Sequence, residues 1–295
     1  MRQQDDVTTE SPEFQAKTET ILIINKTYPE WSNHNGYIVC VGGINQDGEW
    51  RRLYPVPYEL WYRGKPGRFQ KWDWIRLPIR KQTMDKDPRK ESYKLEDVDR
   101  IEVVGHIGTD KAGWQTRRSI VDAHLTRGLK SLIEHQYHDD RRRGHWFSMG
   151  IIRPKEIIDF VETNRYGIAA EEQDPGAEQV MSVQMKALTI PGVPPPATPD
   201  PINKKIGYRF RCEEVQDGCS CGKGRGHYIM CTDWELGQLY RGEGFEKTRQ
   251  KYLDWMTRKR DLYFMMGTVA RQYPTFINVG VFYPPKQEPT QNPTA

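Results

Sequence analysis

Apolar residues in this chain come mainly in short, dense runs separated by turn-forming clusters. Residues 20–26 (TILIINK) are apolar through their middle, as a buried strand is, and 37–44 (YIVCVGGI) reads the same way. An Asn-Gln-Asp-Gly turn then leads into a third run, Trp50 to Tyr54. Turn residues between apolar runs signal a hairpin. Pro55, Pro57 and Pro66 break the next stretch, and strand-like runs return at 70–80 (QKWDWIRLPIR) and 100–107 (RIEVVGHI). These runs predict a small β-barrel with irregular loops.

The period changes at 114–137. Ile120, Val121, His124, Leu125, Leu129, Leu132, Ile133 and Gln136 recur at helical spacing, which predicts one long helix with a core-facing stripe. His124 falls in that stripe and reads as a satisfied core histidine. A strand (IIDFVET) and an acidic loop (AAEEQDPGAE) follow, then PGVPPPATPDP at 191–201, an extended linker by its proline density. Beyond it the pattern predicts a helix capped by Asp233, a second helix over about 243–259, and strands at 261–268 and 275–283. The expected fold is therefore α+β. A mostly β, barrel-like N-terminal part (19–190) carries the long helix, a linker covers 191–204, and an α+β part (205–286) carries a Cys/His element. Polar tails occupy 1–18 and 287–295.

Length and charge narrow the function only a little. The 295 residues suit one large or two modest domains, and a net charge of +4 permits nucleic-acid binding without requiring it. The chain has no run of 18 apolar residues and no apolar N-terminal leader, so a cytoplasmic protein without a membrane span is expected. Motifs for nucleoside triphosphates, dinucleotides, zinc proteases and serine hydrolases are absent from the sequence.

The chemistry concentrates at 205–241. Four of the five cysteines lie there, Cys212, Cys219, Cys221 and Cys231, with His227 among them. Two strands flanking a Gly-rich ligand loop resemble a zinc ribbon in outline, although Cys219 and Cys221 are separated by one residue where a ribbon has two. Zinc held by Cys212, Cys219, Cys221 and either Cys231 or His227 is one reading. Free buried thiols are another, and an iron–sulfur cluster or a disulfide completes the set.

Arginine and lysine interleave with aromatics at EWRRLYP (49–55) and ELWYRGKPGRFQKWDWIR (59–76). Such blocks suit phosphates and stacked or flipped bases, or equally the core of a β-barrel. Arg51, Arg52 and Trp72 are the candidates here. Between 111 and 146 eight positive residues face four negative ones. That segment adds Arg117, Arg118, Arg141, Arg142 and Arg143 as a phosphate clamp, with a solvated helix face as the plainer reading. Lys247, Arg249 and Lys251 on the last helix, and Trp234 and Arg241 on the helix before it, complete the expected DNA footprint.

The segments NKTYPEWSNHNGYIVCVGGI, WRRLYPVP, KWDWIRLPIRK, DPRKESYKL, DWELGQLYR, DLYFMMGT and FINVGVFYPPK cover most of 20–285. They resemble an uncharacterised prokaryotic family associated with mobile elements and phage defence. A further resemblance is to the Brig type of defence DNA glycosylase, which excises a modified base from phage DNA. No catalytic motif of that enzyme matches residue by residue. The N-terminal strands also resemble the small PUA and ASCH barrels that bind nucleic acids or modified bases.

Two functions follow as expectations. A DNA glycosylase would hold the backbone with Arg and Lys, flip a base between aromatics, and use a carboxylate to steady the sugar and orient water. Asp233 and Glu235 are the candidate carboxylates, with Asp73, between Trp72 and Trp74, as the third. Asp233 is also a good helix cap, and Asp73 an ordinary outward strand residue. The alternatives are a reader of modified DNA or RNA that breaks no bond, and a nuclease.

Overall fold

A computed structural model describes residues 14–61, 67–83, 86–138, 147–164, 202, 204–269 and 275–287. Strands β1 (Lys17–Lys26), β3 (Gly36–Asn45), β4 (Trp50–Pro57), β6 (Ser92–Leu95) and β5 (Asp73–Lys81) follow one another, and β5 returns to β1, so five strands close a barrel. β2 (Glu30–Ser32) pairs with β3, and β7 (Glu102–His106) takes the remaining length of β5. The predicted β3–β4 hairpin forms, and Asn45 organises its turn. The Asn45 amide oxygen accepts the backbone N–H of Asp47 (3.1 Å) and of Glu49 (2.8 Å).

Inside the barrel lie Ile21, Ile23, Val39, Val41, Leu53, Ile75, Leu77 and Ile79. Strand alternation sends Leu22 and Ile24 of β1 to the outer face. There they meet Ile151, Tyr263, Met265, Val279 and Phe282. Both faces of β1 are thus buried, which is why its sequence is apolar without alternation.

The partner of that outer face is a sheet in the order β14-β13-β9-β8: Phe276–Phe282, Tyr263–Thr268, Met149–Ile152 and Leu125–Thr126. It is also covered on both sides. Phe264, Met266, Val281 and Ile152 point away from the barrel into a second core with Phe160, Tyr208, Phe210, Tyr252 and Met256. A third sheet, β10 (Pro154–Asn164), β11 (Lys204–Cys212) and β12 (His227–Met230), contributes to this second core. Helix α3 (Trp234–Arg249) is interrupted at Gly244, whose φ of 79° and ψ of −179° only glycine adopts freely. A π turn (Gln250–Trp255) and a last α turn (Met256–Lys259) follow.

The architecture agrees with the expected α+β class: a mostly β N-terminal part with a closed barrel and a C-terminal α+β part. One expectation needs correction. The long helix over 114–137 is two, α1 (Lys111–Asp122) and α2 (Leu129–His138), with β8 between them. His124 sits at this break, where its ring nitrogens lie 2.8 Å from the carbonyls of Ile120 and of Gly48, as a satisfied structural histidine would be. The linker expected at 191–204 lies outside the described residues except for 202 and 204. β10 before it and β11 at its end pair along most of their length, from Pro154↔Cys212 to Asn164↔Lys204. Among the described residues no helix is long and apolar enough to cross a membrane.

Candidate metal centre and ligand cleft

Cys212 ends β11, Cys219 caps and Cys221 sits in the second of the two short 3-10 turns that follow, and His227 begins β12. The antiparallel pairing of these strands, with Phe210 opposite His227, brings both ends of the loop together. The Cys212 sulfur lies 3.7 Å from that of Cys219, 3.5 Å from that of Cys221 and 3.8 Å from His227 Nε2. Cys219 Sγ is 3.2 Å from the same nitrogen, and the four donor atoms all lie within 4.8 Å of one another. A tetrahedron around a metal with bonds of about 2.3 Å has edges of about 3.7 Å, so the spacing suits a four-coordinate ion. Cys231 is not part of this group, and His227 takes the place that the sequence left open between them. The described cysteines are all free thiols. Three thiols and one imidazole are not the four thiolates of an ordinary iron–sulfur centre.

Burial pushes the Cys212 thiol up to about 12, and raises Cys219 and lowers His227, so these three donors are neutral without a metal. Binding a cation therefore displaces thiol protons. Beside the donors, Glu214 is buried and lies 3.9 Å from Cys212 Sγ. Its carboxylate accepts the backbone N–H of Lys130 and of Ser131, both at 3.0 Å, at the start of α2. One side chain thus ties the metal group to that helix. Gly128 makes room for it: a Cβ there would lie 2.3 Å from Glu214 Oε2 and 2.8 Å from Cys212 Sγ.

A separate cleft of about 600 Å³ opens between the barrel and the C-terminal sheets. Arg52, Tyr54 and Arg89 line it from the barrel side, and Lys205, Tyr228 and Thr268 from the other. Both arginines are almost wholly buried, and both donate to the Thr268 carbonyl, at 3.2 and 3.0 Å. Arg89 is matched by Asp87 in a two-pronged pair of 2.6 and 2.5 Å. The hydrogen bonds of Arg52 go to neutral oxygens, those of Ser148 and Thr268, and its Nε has no partner. Ser148 in turn donates to Glu91 from its backbone N–H (2.8 Å) and its hydroxyl. Burial holds the Glu91 carboxyl above its usual range, and its second oxygen has no partner. Arg52 therefore hydrogen-bonds to no carboxylate, although Glu91 and Asp87 lie within reach of its charge. The EWRRLYP block pointed to Arg52, but Arg89, Tyr228 and Lys205 were not singled out. They come from three distant segments, and only the fold assembles them.

The expected catalytic acids are placed differently. Asp233 is 1% exposed and caps α3. One of its oxygens accepts Leu236 N–H (3.1 Å), and the other accepts Val281 N–H (3.0 Å) and the Lys71 ammonium (2.9 Å). Glu235 also pairs with Lys71. Asp73 is buried, accepts Gln70 N–H (2.8 Å) and lies 2.6 Å from His106 Nδ1. Each is committed to a structural partner, and none belongs to the lining of the large cleft.

Of the expected DNA footprint, Arg51, Arg52, Arg117 and Trp72 are buried. Arg51 is clamped by Glu19 (2.7 Å) and Glu49 (2.6 Å). Arg117 is buried, donates to the Ile107 carbonyl (3.0 Å) and lies over Trp72, itself buried. Arg118 holds Asp261 (3.0 Å) and the Pro285 carbonyl (2.8 Å). Trp234 packs on Trp61 and takes the Lys26 ammonium 3.9 Å from its ring. Arg249 pairs with Asp159 (3.3 Å), and Lys251 lies half-buried over Tyr252. Lys247 and Arg241 are exposed. Arg141, Arg142 and Arg143 lie outside the described residues. Arginines embedded among aromatics thus serve mainly as core cations here, because guanidinium stacks on rings and finds internal acceptors.

Residues 17–123 match the family described as "Domain of unknown function (DUF8758)", and residues 129–294 match "Domain of unknown function (DUF8757)". The boundary between the two matches falls at the break between α1 and α2. No curated protein matches the chain.

Proposed function

The chain belongs to the DUF8757 family, whose match spans more than half of it, and we propose that it is a DNA-binding protein that takes a nucleotide turned out of the strand into the cleft between barrel and C-terminal sheets. The observation that carries this reading is Arg52, a buried guanidinium on the cleft wall with only neutral hydrogen-bond partners. An anionic ligand would supply a charged one, and a phosphate is the anion that planar guanidinium groups fit best. The cleft's volume lies in the range of small-ligand sites. The resemblance to phage-defence proteins makes phage DNA with modified bases the first substrate to try.

In the glycosylase form of this reading, the base is also cut off. Glu30 is exposed and is the carboxylate on the cleft lining. It would steady the positive charge that builds on the sugar. The oxygen of a water bonds to C1′, the C1′–N bond breaks with its electron pair going to the base, and the base takes up a proton. Asp233 and Glu235 drop out of this role because of their pairing with Lys71. In the reader form the same cleft binds and no bond breaks. Zinc, the metal best suited to three thiolates and one imidazole, would act as a closed structural staple in both forms.

Incubation of the metal-loaded protein with phage DNA, followed by alkali, separates the outcomes. Alkali-labile sites indicate excision, binding without them indicates a reader, and nicks before alkali indicate a nuclease. Absence of binding at low salt to both plain and modified DNA overturns the proposal.

A further inference from the structure

A second hollow of about 290 Å³ adjoins the large cleft. Glu30, Met230 and Thr232 line both and so form the neck between them. The walls of the two hollows differ in kind. On one side of the neck stand Arg52 and Arg89. On the other stand Tyr28, Trp31 and Tyr37, the last two in an edge-to-face contact with centroids 5.0 Å apart, with Lys204 at the exposed edge. Asp233 also reaches this wall, but both its oxygens are occupied by Leu236, Val281 and Lys71. The aromatic hollow is therefore a place for a flat, largely apolar group, and the arginine hollow a place for an anion.

A nucleotide has these two ends, joined by a sugar. We infer that the two hollows are one bipartite site for a single nucleotide, with the phosphate against Arg52 and Arg89, the sugar at the neck and the base among Tyr28, Trp31 and Tyr37. The inference rests on the nucleic-acid reading above and adds to it the orientation of the ligand. β2 supplies both Glu30 and Trp31, so the short strand outside the barrel is what closes the aromatic end. The orientation also sets Glu30 beside the sugar, where the excision reading needs a carboxylate.

The test uses the full metal-loaded chain and calorimetric titration with deoxynucleoside 5′-monophosphates, the matching nucleosides and inorganic phosphate. A duplex is titrated in parallel. The monophosphate is expected to bind at least tenfold more tightly than either fragment, because it fills both hollows. Trp31→Ala should lower monophosphate affinity at least tenfold and leave phosphate affinity within twofold. Lys205→Ala, at the rim of the arginine hollow, should weaken phosphate and monophosphate together. Trp31 and Lys205 are not fully buried, so both variants should fold, which thermal melting checks. The bipartite site is overturned if the duplex binds but the monophosphate does not, or if Trp31→Ala changes neither. Monophosphate binding lost in Trp31→Ala without any duplex binding supports the site and overturns the DNA reading instead.

Discussion

The ammonium of Lys71, on the loop that leads into barrel strand β5, lies 2.9 Å from the carboxylate of Asp233 at the start of helix α3. Lys71 is 11% and Asp233 1% exposed, so the pair crosses between the two family regions in a nearly dry setting. Removing one member of such a pair strands the other charge. Asp233→Ala should lower the unfolding free energy by about 3–5 kcal/mol. Asp233→Asn, which keeps the helix cap, should lower it by less. Urea unfolding measures both. Loss of DNA excision at unchanged stability in Asp233→Asn would contradict this structural role.

Acid should weaken the protein through the same kind of group. Burial raises the Asp233 carboxyl, but Lys71 and the surrounding donors outweigh it and hold it below the usual range; Arg89 does the same for Asp87. A carboxyl with a depressed folded pKa contributes stability above its unfolded value of about 3.9 and loses it as pH falls through the folded value. The urea midpoint should therefore fall steeply below about pH 4, and Asp87→Asn should flatten that fall. An unchanged acid limb in Asp87→Asn would remove this pair from the account.

The metal group makes a sharp distinction among the cysteines. Cys219→Ser should abolish stoichiometric metal, whereas Cys231→Ser should retain it. Gly128→Ala leaves every ligand in place but drives a methyl group against Glu214 and Cys212. A loss of about 10–100-fold in metal affinity is expected, as for other changes just outside a ligand set. Elemental analysis and competition with a chelator measure all three. Metal removal should also speed hydrogen exchange in 213–226 and at the start of α2, because Glu214 links the two.

Arg51 provides a test of whether interleaved arginines are surface or core. Its guanidinium bonds Glu19 and Glu49, so Arg51→Met should cost about 1–3 kcal/mol of stability. The salt dependence of DNA binding should not change, since a lost phosphate contact would reduce the slope by about one. A shallower slope in this variant would return Arg51 to the footprint.

The apolar runs at β1, β3, β13 and β14 were legible because strands covered on both faces leave unbroken hydrophobic sequence. The break in α3 was legible too, and Gly244 makes it. The division of 114–137 was not, since Leu129, Leu132 and Ile133 keep the helical spacing while Gly128 answers to Glu214 and Cys212 across the fold. At the metal group the sequence supplied the donors but not the choice between His227 and Cys231. That choice depends on which residue of β12 faces Cys212, and strand register decides it. Arg89 and Tyr228 join Arg52 in the cleft only through tertiary contact, so no local pattern marked those two.

During synthesis the barrel leaves the ribosome first. Its outer face, with Leu22, Ile24, Ile44 and Trp72, has little to pack on until β13 and β14 follow. At ordinary translation speed that delay is on the order of ten seconds. The newborn barrel is then a client for chaperones that hold apolar surface. Both family regions lie in one chain, so its cover arrives on the same molecule.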